Sequence, residues 1–194
     1  MSARIPPVML LLLACACAQG DSPASPEEEF VADLGANAGE INLADFDAPA
    51  EGEQEVPPRP TRARGDASFR VTNNGTSIDF SLYVRSITNV VQAHIHLAPR
   101  KVNGQVVVFL YPVTAPGGGP LNGIIARGTF TAADLIGPLT GLPLSDLIAA
   151  MRSGGAYINV HTNDGVGAIN TGPGDFPGGE IRGQIRVRPI SDGR

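Results

Sequence analysis

Short segments of alternating apolar and polar residues occur along most of the chain after residue 41. In Thr76–Arg85 every second residue is apolar, which is typical of a strand with one buried face. Asn73-Asn74-Gly75 precedes it and predicts a hairpin turn after an earlier strand. Further strands are predicted at Asn42–Phe46, Ala67–Thr72, Val91–Leu97, Gln105–Tyr111, Gly123–Phe130, Ala156–His161 and Glu180–Arg188.

A single segment has helical spacing. Apolar residues recur three and four positions apart in Leu144–Arg152, which predicts a short amphipathic helix. Ser145 is expected to cap its start and Gly154-Gly155 to end it. Eight predicted strands and one helix indicate an all-β, antiparallel Greek-key β-sandwich, with a barrel as the alternative. Val106–Leu110 is apolar at every position, so it predicts a central strand buried on both faces.

The first 17 residues have the pattern of a secretory signal peptide. A single base, Arg4, precedes the apolar run Val8–Ala14, which is too short to cross a bilayer. The run ends in Leu12-Leu13-Ala14-Cys15, which resembles a bacterial lipobox and predicts lipidation of Cys15. The alternatives are lipidation of Cys17 and ordinary cleavage near Ala18. The protein is therefore expected to be an extracytoplasmic, membrane-anchored lipoprotein, in the outer membrane or periplasm or at the cell surface.

The net charge of −5 is concentrated in one segment. Between Ala18 and Glu40 there are six acidic residues and no basic residue, which predicts a disordered, solvated tether over 18–40. Residues 41–194 hold 13 acidic and 13 basic residues, so the folded domain, predicted over 41–190, is formally neutral. Such a balance argues against nucleic acid as a partner. The expected partners are a membrane, through the lipid, and an unidentified extracytoplasmic protein or metal donor or acceptor.

Three histidines are the candidate chemical site. His94 and His96 are two residues apart in a predicted strand, which places both imidazoles on one face about 6.6 Å apart along the backbone. His161 ends another predicted strand. Neutral imidazole binds copper, zinc, nickel and iron, and both cysteines precede the domain. The alternative is that the histidines are packing residues against Tyr111 or Tyr157.

Several motifs together resemble the chordin-type domain, CHRD, from about residue 42 to 188. The resemblance implies a β-sandwich and an extracellular binding role, since chordin binds growth factors. The motifs are Glu55-Val56-Pro57-Pro58, Ala93-His94-Ile95-His96-Leu97, Asn103-Gly104, Val107-Val108-Phe109-Leu110-Tyr111, Asn159-Val160-His161-Thr162 and Pro177-Gly178-Gly179-Glu180-Ile181-Arg182-Gly183-Gln184.

A weaker resemblance is to copper/zinc superoxide dismutase. His94, His96 and His161 are similar in order and type to the copper ligands of that family. The chain has no bridging histidine, no zinc ligand cluster and no disulfide pair, and Arg182 does not align with the family's active-site arginine. This resemblance implies a copper-only site of three histidines, with zinc the less favoured ion.

Two charged residues near the C-terminus have more than one interpretation. Glu180 either orients a ligand histidine or pairs with Arg182 or Arg186 across a strand. Arg182, Arg186 and Arg188 alternate on the last predicted strand, so they form either a solvated sheet edge or a patch for an anionic partner. Glu180 and Arg182 are therefore predicted to support the metal ligands.

The sequence leaves three functions open. The first is a lipid-anchored CHRD-type binding module that holds a metal ion, with copper favoured. The second is a copper-dependent oxidoreductase similar to superoxide dismutase. The third is a structural envelope domain without a metal. No nucleophile lies in a motif such as Gly-x-Ser-x-Gly, and no catalytic residue is assigned.

Overall fold

The computed structural model of the protein describes residues 45–188. The predicted signal peptide, Cys15, the tether and the predicted strand residues 42–44 lie outside this range. The strands are β1 Asp45–Glu51, β2 Arg64–Thr72, β3 Ser77–Thr88, β4 Val90–Leu97, β5 Gln105–Tyr111, β6 Pro120–Thr131, β7 Ala156–Thr162, β8 Ile181–Gln184 and β9 Arg186–Val187, and the α-helix is α1 Leu144–Arg152. Short 3-10 turns lie at Gly52–Gln54, Asn73–Gly75, Ala132–Asp134 and Gly137–Leu139.

All nine strands belong to one antiparallel sheet. The strand order is β5-β4-β7-β8-β1-β2-β3-β6, and β9 pairs with β1. The two end strands, β5 and β6, contact each other, so the sheet is nearly closed around a single core. The predicted all-β antiparallel class with one short helix is confirmed.

The core follows from the alternation along each strand. In β3 and β2 the inward positions Ile78, Leu82, Phe69 and Ala67 are at most 2 % exposed. Burying such side chains supplies most of the favourable free energy of folding, about 25 cal/mol for each Å² of apolar surface. The outward positions of the same strands carry Ser, Asp and Arg residues.

The prediction that Val106–Leu110 is a central strand is wrong. It forms most of β5, which is an end strand and pairs with β4 alone among the described strands. Val107 and Val108 are buried, but Phe109 is 48 % exposed. A run of apolar residues usually indicates burial on both faces of a strand. Here the outward Phe109 instead packs against His94 of the neighbouring strand β4.

Local signals at the turns and the helix were largely reliable. The Asn73–Gly75 turn joins β2 and β3, with Thr72 paired to Ser77. Helix α1 has the predicted bounds, and Gly154, at φ +69°, ends it. The predicted cap is wrong, because Pro143 occupies the N-cap and Ser145 lies inside the helix.

The last predicted strand is broken. Glu180–Arg188 contains β8 and β9, and they are interrupted at Ile185, which is fully buried. β8 pairs with β7 and β9 with β1. Over residues 45–188, no helix is long and apolar enough to span a bilayer.

Candidate metal centre

One face of the β4–β7 pair carries all three histidines. His94 and His96 lie on β4, and His161 lies on β7 at the position paired with Gln92. Ile95 and Val160 point to the opposite face and are fully buried in the core. The alternation that buries the apolar residues of the two strands therefore directs the imidazoles to the outer face, beneath the connecting loops.

The three imidazoles converge on one point. His94 Nδ1 lies 3.2 Å from His161 Nε2. One ring nitrogen of each histidine lies within 4.8 Å of the corresponding atoms of the other two. The side chains are 4 %, 7 % and 7 % exposed for His94, His96 and His161. Among residues 45–188 this is the one such group of possible metal ligands.

Two of the histidines each have one ring nitrogen next to a backbone carbonyl, which determines where the ring carries its proton. His96 Nδ1 lies 3.0 Å from the Gly104 carbonyl oxygen, and His161 Nδ1 lies 2.8 Å from that of Pro177. A carbonyl oxygen only accepts, so each Nδ1 carries the proton and donates. In a neutral ring, Nε2 then keeps its lone pair. This is the arrangement by which proteins commonly orient metal-binding histidines.

Two of the remaining ring nitrogens have no hydrogen-bond partner. His94 Nε2 and His96 Nε2 are buried and form no hydrogen bond. A buried polar atom without a partner costs about 1–3 kcal/mol, so such atoms in a native structure call for an explanation. The lone pair of His96 Nε2 is therefore available to a metal ion, and His94 Nε2 is a buried nitrogen without a hydrogen-bond partner.

The histidines are held neutral by their surroundings. Burial, with a further contribution from His161 and His96, lowers the pKa of His94 to about 3. Burial also lowers the pKa of His161 to about 4, although its bond to Pro177 opposes the shift. The pKa of His96 is lowered for the same reason. Metal binding by imidazole requires the neutral ring, so the site is ready for an ion at neutral pH.

Aromatic side chains enclose the cluster on two sides. The Phe109 ring packs edge-on against His94, with the ring centroids 4.5 Å apart. The Tyr157 ring stacks on His96 at 4.8 Å and an angle of 10°. On the other face of Tyr157 lies the Arg182 guanidinium, 3.5 Å from the ring centroid. Arg182 is therefore connected to His96 through a stack of three planar groups.

Gly104 is held at the point from which its carbonyl reaches His96. Its N–H donates to the Tyr157 hydroxyl at 3.1 Å. A Cβ at this position would overlap the carbonyl of Leu97, so glycine is required by the close approach of two backbone segments. Tyr157 thus supports His96 in two ways, by stacking on its ring and by fixing Gly104.

Glu180 supports His161 indirectly. It is fully buried and accepts hydrogen bonds from Thr162 Oγ1 at 2.7 Å, from Gly174 N at 2.8 Å and from Thr61 Oγ1 at 2.5 Å. Thr162 follows His161 and accepts a bond from Phe176 N. Glu180 therefore ties β7 to the loop whose Pro177 carbonyl orients His161, and it contacts no histidine itself.

The three arginines of the last strand do not form one patch. Arg182 is 1 % exposed beneath the loops. Arg186 is exposed and donates from Nε to Asp47 Oδ1 at 2.8 Å, and Arg188 is exposed. The predicted pairing of Glu180 with Arg182 or Arg186 is absent among the ion pairs of the described residues, which join Arg186 to Asp47 and Arg64 to Glu51.

The fold and the site together define a nearly closed antiparallel β domain with a buried three-histidine cluster on one outer face. The sequence profile of the CHRD domain family matches residues 46–185. The chain therefore belongs to the CHRD domain family. Among curated proteins, no significant match to the chain was found.

The backbone groups that orient the ligands could not be predicted from the sequence. Gly104 and Pro177 both lie in motifs that resemble the family, but neither residue type indicates a contact with a histidine. A carbonyl carries no side-chain signal, so only the folded chain shows which one faces an imidazole. Tyr157, one of the two predicted packing partners of the histidines, stacks on His96.

Proposed function

We propose that this domain is an extracytoplasmic binding module that holds a copper ion at His94, His96 and His161. The observation that carries the proposal is a cluster of three buried imidazoles, in which one ring nitrogen of each lies within 4.8 Å of those of the other two. The Nδ1–H groups of His96 and His161 donate hydrogen bonds to backbone carbonyls, so Nε2 of each ring carries no proton. The CHRD family membership supports a binding role for the domain.

The separations suit a shared ion. Two nitrogens that are each about 2.0–2.1 Å from one ion lie at most about 4.2 Å apart. The separation of 3.2 Å between His94 Nδ1 and His161 Nε2 satisfies this limit. The widest separation is within 4.8 Å, so a shared ion requires a shortening of at most about 0.6 Å. Three protein ligands would leave a coordination position open, as in sites that exchange or react with a further ligand.

The donor set favours copper. It consists of nitrogen alone, with no thiolate or carboxylate in the cluster among residues 45–188. For such ligands the affinity of divalent ions is highest for Cu²⁺ and lower for Zn²⁺. Because Zn²⁺ also binds imidazole, each copper-binding measurement should be repeated with Zn²⁺ as the competing ion.

We further propose that the module is tethered outside the cytoplasm through a lipid on Cys15. The lipobox-like Leu12–Cys15 and the acidic segment 18–40 support this location. Copper supplied by, or passed to, another extracytoplasmic protein would then reach the site near the membrane. The open coordination position would suit such a transfer.

Metal titration of the purified protein tests the copper proposal. We expect one equivalent of Cu²⁺ to bind, with nitrogen hyperfine structure in the electron paramagnetic resonance spectrum, and Zn²⁺ to bind more weakly. The chain contains only three histidines, so imidazole signals report this site alone in an untagged protein. His161→Gln should weaken copper binding by more than about 100-fold, beyond the loss typical of a change at a residue that only supports a ligand.

A control variant changes a side chain outside the histidine cluster. Asp146→Asn lies on an exposed part of α1 and should leave copper binding unchanged. The absence of stoichiometric binding at micromolar copper would overturn the proposal and leave a structural envelope domain. Turnover of superoxide by the copper-loaded protein would instead identify a copper-dependent oxidoreductase similar to superoxide dismutase.

A further inference from the structure

One cavity of the described residues is lined by no histidine. It has a volume of about 410 Å³ and lies between residues 53–58 and Arg100-Lys101, with Arg182 and Gln184 of β8 also lining it. This volume is in the range of small-molecule binding sites. The proposed copper site does not use the cavity.

Arg182 is a buried cation whose hydrogen bonds all go to neutral groups. Its Nη2 donates to the Pro99 carbonyl at 3.0 Å and to Gln184 Oε1 at 3.4 Å, and its Nη1 donates to Asn103 Oδ1 at 3.4 Å. All three acceptors are neutral. None of the ion pairs among residues 45–188 includes Arg182. Glu55 interacts with Arg182 electrostatically but forms no ion pair with it among residues 45–188. Burial disfavours the charge of Arg182, and an anionic ligand hydrogen-bonded to the guanidinium would offset that cost.

Positive charge predominates around the cavity. Arg100, Lys101 and Arg182 face two acids, Glu53 and Glu55. Burial raises the pKa of Glu55 to about 7, against the opposing influence of Arg182 and Arg59. Three cations therefore face at most two ionised acids, and the raised pKa of Glu55 lowers the negative charge at neutral pH.

We propose that this cavity binds a small organic carboxylate, anchored by the Arg182 guanidinium with Arg100 and Lys101 at the rim. The planar guanidinium matches a carboxylate with two parallel hydrogen bonds. Its two contacts at 3.4 Å are long, and a charge-assisted bond of about 2.7–2.9 Å would be stronger.

Calorimetric titration of the purified full chain with succinate tests the proposal. Succinamide serves as the neutral analogue and inorganic phosphate as the competing anion. We expect saturable binding of one succinate, none of succinamide and at least tenfold weaker binding of phosphate. No succinate binding up to about 10 mM, or equal binding of phosphate, would overturn the proposal.

Two variants locate the binding. Arg182→Lys keeps the positive charge but removes the planar guanidinium with its two parallel N–H donors. It should weaken succinate binding at least tenfold. If Arg182→Lys fails to fold, the double variant Arg100→Gln/Lys101→Asn tests whether succinate binds in this cavity. It should weaken succinate binding by a similar factor. Asparagine suits the φ of +64° at position 101.

The control has the same charge change at a distance. Arg127→Gln/Arg152→Gln alters two exposed arginines on β6 and α1 that do not line the cavity. It should leave succinate binding unchanged. An equal loss in both double variants would mean that succinate responds to net charge alone, and the assigned site would be wrong.

Discussion

His94 Nδ1 and His161 Nε2 lie 3.2 Å apart although 67 residues separate them in the chain. The pairing of β4 with β7 produces this approach, because His94 is opposite Asn159 and His161 is opposite Gln92. Two unprotonated nitrogens at this separation would repel each other. His94 Nδ1–H therefore donates a hydrogen bond to His161 Nε2. An ion shared by these two nitrogens would take the place of that hydrogen, and the proton of the neutral His94 ring would then lie on Nε2.

The orientation of His96 is predicted to depend on the absence of a side chain at Gly104. In Gly104→Ala the new Cβ would overlap the Leu97 carbonyl, so the backbone that carries the Gly104 carbonyl must move. We expect a stability loss of about 1–3 kcal/mol and a loss of copper affinity of about 10–100-fold. Urea unfolding and copper titration measure the two effects.

Gly118→Ala is the matched control for this change. A Cβ added at Gly118 would have no atom within 4 Å, and the backbone there is not left-handed, so stability and copper affinity should stay nearly constant. Normal copper binding by Gly104→Ala would show that the carbonyl does not position His96.

The Tyr157 hydroxyl is predicted to stabilise the same carbonyl. Tyr157→Phe keeps the ring stacked on His96 but removes the acceptor of the Gly104 N–H. Leaving that partly buried donor unpaired should cost about 1 kcal/mol, with a smaller loss of copper affinity than in Gly104→Ala. Thermal unfolding with and without copper measures both. Tyr111→Phe, on β5, should have little effect on either quantity, and an equal effect of both variants would contradict the assignment.

The stability of the metal-free protein should fall as the pH drops below about 6.5. The unfolded chain binds protons at His94 and His161 near the ordinary histidine pKa of 6.5, whereas the folded chain does so only near pH 3 and 4, the lowered pKa values of these two rings. Between these values the unfolded state binds more protons, so stability rises with pH by up to about 1.4 kcal/mol per unit for each group. Urea unfolding from pH 4.5 to 8 measures the slope, and a flat profile would contradict the burial of neutral histidines.

The ionisation of Glu55 should make the protein less stable, not more stable, as the pH rises. Its pKa is raised from 4.5 to about 7 by burial, so the folded state binds more protons between these values and stability falls as pH rises through that range. Glu55→Gln removes this cost and should stabilise the protein at pH 8 by up to about 3 kcal/mol, with no gain near pH 4.5. The difference in unfolding free energy between variant and parent at the two pH values checks the sign. A gain of the same size at both would exclude ionisation as the cause.

Membrane attachment is predicted to depend on Cys15. Cys15→Ser should move the protein from the membrane fraction to the soluble extracytoplasmic fraction, because several acyl chains provide a firm anchor. Fractionation and mass measurement of the mature N-terminus check this. Cys17→Ser is the control and should remain membrane-bound. Retention of Cys15→Ser in the membrane would mean that the lipobox interpretation is wrong.

The alternation of residue types determined the strands and directed the histidines to one face. Gln105–Tyr111 and Leu144–Arg152 have the predicted bounds, because local periodicity reflects which side chains face a core. Likewise, the spacing of His94 and His96 was sufficient to place them together. The order of the strands in the sheet could not be predicted in this way, because no short stretch of sequence specifies which distant segment it pairs with.

Tertiary structure alone decided the rest. It made Val106–Leu110 an end strand, since strand position depends on which partners remain available rather than on apolar content. It also buried Arg182 beneath the loops, where the last-strand alternation predicted a shared face with exposed Arg186. The Gly104 and Pro177 carbonyls reach the imidazoles only after β4, β7 and their loops pack together. The sequence determined which residue types could hold a metal, and the three-dimensional packing decided which nitrogens are free to do so.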